Sequence, residues 1–284
     1  MSTRTKRRRL KLMLASLATV GVTFITGGSE PRAFAENQPN EFQSEELYLI
    51  KGAEKEEPRF SIEARWFAPH LEAKVKSDKI YYNGGAVSLK DDLGFGNDNA
   101  PEFILRYKRM TLDYIYVDGS GERNFRGRNV LTFGGWRFHG DVHAKNKLHY
   151  LKLNITNPIS GSQKNGLDWS YGLTGMYWKG SITGTEVGGR TRHESKQYGI
   201  PVPTLGVGAH AALLPNFNAY AHISGLPLGG YGHFYDFETG VRYHPIEHLA
   251  ISAGFRRIDV NVDHNDDSGK LTMNGPFAGL RYDF

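Results

Sequence analysis

Several groups of residues in this 284-residue chain are spaced for chemistry. His222-Ile223-Ser224 sets an imidazole and a hydroxyl two positions apart, and Asp236 and Glu238 follow downstream. A His, a Ser and a carboxylate form a hydrolytic triad if they meet in space. His139, Asp141 and His143 alternate along the chain. On an extended backbone they share one face, where they suit metal ligation or water activation. Asp263 to Gly269 carries the alternating oxygens of half a calcium loop. Ser268 stands where that loop wants glycine and Asn274 where it wants glutamate, so a polar hairpin is the better reading. The chain has no cysteine, which removes thiolate zinc sites, disulfides and cysteine nucleophiles. No cofactor and no metal site is expected.

The largest set of reactive side chains is of another kind. Charges of both signs alternate with apolar residues in short segments: Glu63 and Arg65, Glu102 and Arg106, Asp113, and Lys152. Further along come Asp236 and Glu238, Arg242, Arg256, and Arg281 with Asp283. The elements that carry them read as β-strands. Phe60, Ile62, Ala64 and Trp66 alternate with Ser61, Glu63 and Arg65. Successive strand side chains point to opposite faces, so one face is apolar and aromatic and the other charged. The same period recurs from Phe103 to Tyr107, Leu112 to Tyr116, Leu151 to Ile155, Trp169 to Leu173, Leu205 to Ala211, Phe217 to Ile223, Phe237 to Tyr243, Leu249 to Phe255 and Leu280 to Phe284. That makes about ten strands, with eight or twelve open because 76–100 and 125–145 alternate less cleanly. Connections alternate short and long. Long ones are expected near 76–85, 118–141, 180–197, 226–233 and 261–269.

The fold class implied is all-β, an antiparallel barrel. A soluble barrel or sandwich would turn its apolar face inward and its charges outward. A transmembrane barrel inverts this, with lipid outside and a polar lumen within. Inversion fits better, because so many charges buried in a small soluble core would be very costly, whereas a lumen can pair or hydrate them. Aromatic residues near strand ends, such as Trp66, Tyr107, Tyr116, Trp169, Tyr243 and Tyr282, suit interfacial girdles. The ending Gly279-Leu280-Arg281-Tyr282-Asp283-Phe284 resembles the assembly signal of bacterial outer-membrane β-barrel proteins, and the resemblance covers residues 59–284. It implies a cell outer membrane location and recognition of Phe284 by the barrel-assembly machinery. Two enzyme families of that architecture are also similar in places. His222, Ser224 and Glu238 resemble the His-x-Ser and downstream Glu of lipid A deacylases, which implies base, nucleophile and orienting acid respectively. Asp141-x-His143 resembles the Asp-His pair of omptin proteases, with Asp91-Asp92 as the candidate opposing acids.

The termini set the compartment. Arg4 to Lys11 is a basic n-region, Leu12 to Ile25 an apolar h-region, and Ala33-Phe34-Ala35 a small-x-small cleavage site. A cleaved Sec signal peptide is therefore expected over 1–35, an acidic periplasmic tail over 36–58 and the barrel over 59–284. The formal charge of +5 comes from the first segment: residues 1–35 carry +6, and the other 249 residues carry 28 basic and 29 acidic side chains. A nucleic-acid partner is not expected. Outer-membrane lipid and lipopolysaccharide are, with Arg123, Arg126, Arg128 and Arg137 of the longest outer loop as phosphate contacts. The reading is a monomer without enzymatic activity, either structural or a narrow charged-lumen channel for small solutes. A hydrolase at one of the sites above, or a surface interaction protein acting through its loops, are the alternatives.

Overall fold

The computed structural model describes residues 60–284 apart from 78, 84, 97–98, 126–128, 162–164, 228 and 265–266. The signal segment at 1–35 and the acidic tail at 36–58 lie outside the described residues. The described chain is all-β. Its strands are β1 (Phe60–Phe67), β2 (His70–Lys76), β3 (Ile80–Tyr82), β4 (Val87–Ser88), β5 (Ala100–Tyr107), β6 (Met110–Phe125) and β7 (Leu131–Phe133). They continue with β8 (Trp136–Gly161), β9 (Asn165–Glu186), β10 (Thr191–Leu214), β11 (Phe217–Pro227), β12 (Gly232–Ile246), β13 (Leu249–His264) and β14 (Asp267–Asp283).

Ten of these strands close a ring of antiparallel pairs: β1-β5-β6-β8-β9-β10-β11-β12-β13-β14, with β14 returning to β1. Closure leaves no unpaired edge around the ring where lipid would meet it. The first wall strand is broken in two. β1 and β2 both lie against β14, and the break falls at Ala68-Pro69. Proline cannot donate to a ladder, so pairing stops there. Gly275 faces the break, where any Cβ would meet the Ala68 carbonyl oxygen at 2.1 Å. The remaining pieces β3, β4 and β7 are short. They hang on β2 and β8 at the end where the connections are long.

The alternation read from the sequence holds in three dimensions. Along β1, Ser61, Glu63 and Arg65 are buried while Ile62 and Trp66 are exposed. Outward residues form an apolar band that includes Phe103, Leu105, Leu153, Trp169, Leu173, Ile223 and Ile251. The interior has two layers. Toward the short turns it is charged and hydroxylic. Toward the long connections it becomes apolar, with Phe67, Ile115, Val117, Leu148, Phe234, Ile258 and Met273 in one dry cluster. Above that, β3, β4 and β7 with Leu89, Leu93 and Phe95 fold inward against Phe138, Val142 and Ile182 and form a second core that caps the ring.

Two expected loops turn out to be strand. Residues 180–197 continue β9 and β10 to a turn at 187–190. The connection expected at 118–141 shrinks to 126–135, because β6 runs to Phe125 and β8 starts at Trp136. β8 is 26 residues long, β9 22 and β10 24. At roughly 3.3 Å per residue these far exceed what a tilted strand needs to cross a bilayer. The upper strand segments meet water or the cap, so their outward side need not be apolar and the sequence period fades.

Candidate functional site

The ring brings twelve charged residues into one interior. Their strands place them there by parity alone: each sits on the odd or even set that faces inward. Arg256 is the centre, with 1% of its surface exposed. It donates from Nε and Nη2 to the two oxygens of Asp236, at 3.0 and 2.8 Å. Its Nη1 pairs with Asp113 at 2.7 Å and also donates to Glu102. Three strands besides its own are tied by one guanidinium. Lys152 approaches Asp236 at 2.6 Å, and the Tyr150 hydroxyl donates to the same carboxylate at 2.8 Å.

A second centre lies nearer the turns. Arg65 donates from Nε to Glu63 at 2.6 Å and from Nη1 to Glu238 at 2.8 Å. Its guanidinium also rests 4.4 Å from the ring centroid of Phe277. Arg106 donates to the other oxygen of Glu63 at 2.6 Å, and the Ser252 hydroxyl donates to Glu63 at 2.7 Å. Arg242 lies over the Tyr220 ring at 5.1 Å, and Tyr220 donates to Glu238 at 2.9 Å. Arg281 and Asp283 pair with each other close to the chain end. Charges taken from water demand partners of this density, since an unpaired buried ion costs several kcal/mol.

The hydrolytic constellation is not assembled. His222 and Ser224 do face inward, opposite Glu238 and Asp236 respectively in the β11–β12 register. Yet Ser224 accepts a hydrogen bond from Lys152 at 2.7 Å, and His222 Nε2 meets Ser170 at 3.1 Å. Glu238 is occupied by Arg65 and Tyr220. Three residues on a common face thus end with three different partners, and the His222 imidazole bonds Ser170 and not Ser224. The omptin-like pair fails as well. Asp141 and His143 are on the outer wall, where Asp141 accepts from Asn124 and His143 Nδ1 lies 2.8 Å from Glu122. Asp91 and Asp92 fold back on Ser88 instead. His139, Asp141 and His143 share the outward face, but no group of three metal-ligating side chains forms among the described residues. Asp263 belongs to a tight β13–β14 hairpin.

Of the expected phosphate contacts, Arg123 and Arg137 are exposed near the top of β6 and β8. Arg126 and Arg128 lie outside the described residues. The structure adds a feature that sequence reading missed. On the outer wall, His233, Tyr235, Phe237, Arg257, Asp259, Asn261 and Lys270 line a groove of about 370 Å³. Asp259 accepts from Arg257 at 2.9 Å and approaches His233 Nε2 at 3.0 Å. This part of β13 lies beyond Phe255, the last apolar residue on its outward side, and so outside the lipid-facing segment. Burial raises the Asp259 carboxyl, but hydrogen bonds from Arg257 and His233 outweigh it and hold it below its ordinary value. Only the cross-strand register brings these residues together, so no local motif announces them.

Neither a known family nor a curated protein matches this chain. Solved structures similar to it are outer-membrane β-barrels. The outer membrane protease OmpT from Escherichia coli is 11% identical with a TM-score of 0.46, over 79% of this chain and 97% of that one. The attachment invasion locus protein Ail of Yersinia pestis is 14% identical with a TM-score of 0.31, over 80% and 99%. The translocator domain of the autotransporter NalP from Neisseria meningitidis is 11% identical with a TM-score of 0.38, over 86% and 95%. A closed ring with an apolar exterior and a charged interior is the build of an outer-membrane β-barrel, and this chain has it.

Proposed function

We propose that this protein is a monomeric outer-membrane barrel crossed by ten strands, without enzymatic activity, whose lumen is a structural core. The observation that carries this reading is Arg256, buried among Glu102, Asp113 and Asp236 beneath a dry apolar layer. An ion entering from the outer side would have to shed its water against Phe234, Ile258 and Met273 before reaching any charge. Hydrophobic constrictions of this sort stop conduction. The twelve charged residues then serve to hold the ring together from inside, and a channel for small solutes is the less favoured function. Single-channel recording on the refolded full chain tests this. Folded protein is expected to be silent. Discrete steps whose ion selectivity changes in Arg242→Glu would sink the reading.

A second role is favoured by the heights of the strands. β8, β9 and β10 carry a wall of sheet far beyond the lipid, which suits surface interaction at the cell exterior. Its test is binding to host or neighbouring-cell surfaces after the 187–190 turn and the strand ends beside it are shortened.

A further inference from the structure

The outer wall of β12, β13 and β14 carries an arrangement that neither the lumen nor the raised sheet explains. In register across the sheet, one outward row holds Tyr235, Asp259 and Thr272, and the next holds His233, Asn261 and Lys270. The row below holds Phe237, Arg257 and Asn274. Lys270 stands directly opposite Lys74 of β2, two positions from Lys76. Like charges facing each other across an antiparallel pair are destabilising. Lys74, Lys76 and Lys270 have no ion-pair partner among the described residues. Two carboxylates stand nearby: Asp259 is already taken by Arg257, His233 and Thr272, and Glu72, opposite Thr272 and two positions from Lys74, lies 3.3 Å from His70. Tyr235 and Phe237 stand within these rows, beside Asp259 and Arg257, and Phe255 lies one row below on the lipid-facing segment; they are 41%, 37% and 42% exposed.

We infer that this groove binds one phosphate-bearing lipid of the outer leaflet. Its phosphate would lie between Lys270 and Lys74, within reach of Arg257 and His233, and an acyl chain would lie along Tyr235, Phe237 and Phe255. A phosphate oxygen accepts from two lysines at once and removes the repulsion that the register builds in. The aromatic residues supply the apolar half of an amphiphile's site, and the groove between β12 and β14 supplies its shape. The inference rests on the membrane placement of this wall and is independent of whether the lumen conducts.

Native mass spectrometry of the refolded full chain in detergent provides the test, with diphosphoryl lipid A as probe. One tightly held lipid is expected. Dephosphorylated lipid A should bind at least roughly tenfold more weakly, as loss of two charge-assisted contacts implies. Lys74→Gln with Lys270→Gln should weaken diphosphoryl lipid A by a similar factor. Arg109→Ala, at the short-turn end, should change nothing. Heat-modifiable migration on gels reports that each variant is folded, and the dephosphorylated probe tests the wild type without any variant. Equal affinity for both lipids, or an unchanged affinity in the double variant, overturns the inference. So does full competition by millimolar inorganic phosphate, which would assign the site to the free anion. Silence in bilayer recordings of the double variant would leave the lumen reading intact while the lipid result stands or falls alone.

Discussion

At the scale of single residues, the interior is decided by which carboxylates share which cation. Arg256 holds Glu102, Asp113 and Asp236, which come from β5, β6 and β12. Removing it leaves three acids facing one another in a space closed to water. Arg256→Met is therefore expected to cost about 3–5 kcal/mol, the range for breaking a buried pair. Urea unfolding in bilayers measures it. Adding Glu102→Gln should return part of the loss, whereas a purely steric role for the guanidinium would leave the double variant no better. On the outer wall the sign of a pH effect follows from Asp259. Its carboxyl is held below the ordinary value by Arg257 and His233, so its contribution is present above the unfolded value of about 3.9 and is lost as pH falls further. Asp259→Asn should flatten that acid-side loss, and unfolding midpoints between about pH 3 and pH 6 check it. Facing was legible in the sequence for these charges, because parity along a strand fixes it. Partnership was not. His222 and Ser224 share a face, yet Ser170 and Lys152, which capture them, lie 52 and 72 positions earlier in the chain.

At the scale of elements, what matters is where pairing ends. β11 covers β10 only from Leu205 to Leu214. Above that, among the described residues, β10 pairs with β9 alone, from Thr191 onward. An exposed strand edge invites association. Pro201 and Pro203 sit at the start of this free stretch, opposite Gly175 and Leu173 of β9. Neither can donate to the β9 ladder, so their nitrogens face the open side and remove two donors from it. Pro201→Thr with Pro203→Thr restores those donors. The expected result is concentration-dependent dimers or larger species in size-exclusion chromatography, with the wild type monomeric. An unchanged elution profile would mean the prolines serve another purpose. Strands bounded by lipid were legible, because one face had to be apolar throughout. The upper parts of β8, β9 and β10 were not, because Lys145, Lys179 and Lys196 meet water on the outer side or the cap on the inner. The cap itself, built from β3, β4 and β7, carries runs too short for any period to register.

At the scale of the whole molecule, the interior is organised along the membrane normal. On β12 the inward residues run Phe234, Asp236, Glu238, Arg242 toward the short turns, and on β13 Val260, Ile258, Arg256, Ser252 run the same way. Adjacent strands travel in opposite directions, so the sequence order of apolar and charged residues reverses from one strand to the next. The layers emerge only when the register is known, and that is why a list of alternating charges suggested a pore as readily as a plug. The two arrangements differ in their response to salt. A hydrated channel lets counterions in, so its pairs are screened within about 3 Å at 1 M ionic strength. A sealed interior excludes ions. Pairs such as Arg65 with Glu63, both side chains fully covered, then keep their full strength in salt, and only rim pairs such as Lys147 with Asp118 are weakened. Surface pairs contribute little. The unfolding midpoint of the wild type in bilayers is therefore expected to stay nearly constant from about 0.05 to about 1 M sodium chloride. Arg242→Glu adds a seventh acid to the interior, beside Glu63 and Glu238, and should lower the midpoint without making it salt-dependent if the interior stays closed. A wild-type midpoint that falls steadily with salt would mean that ions reach the lattice, and the lumen would then be a path and not a core.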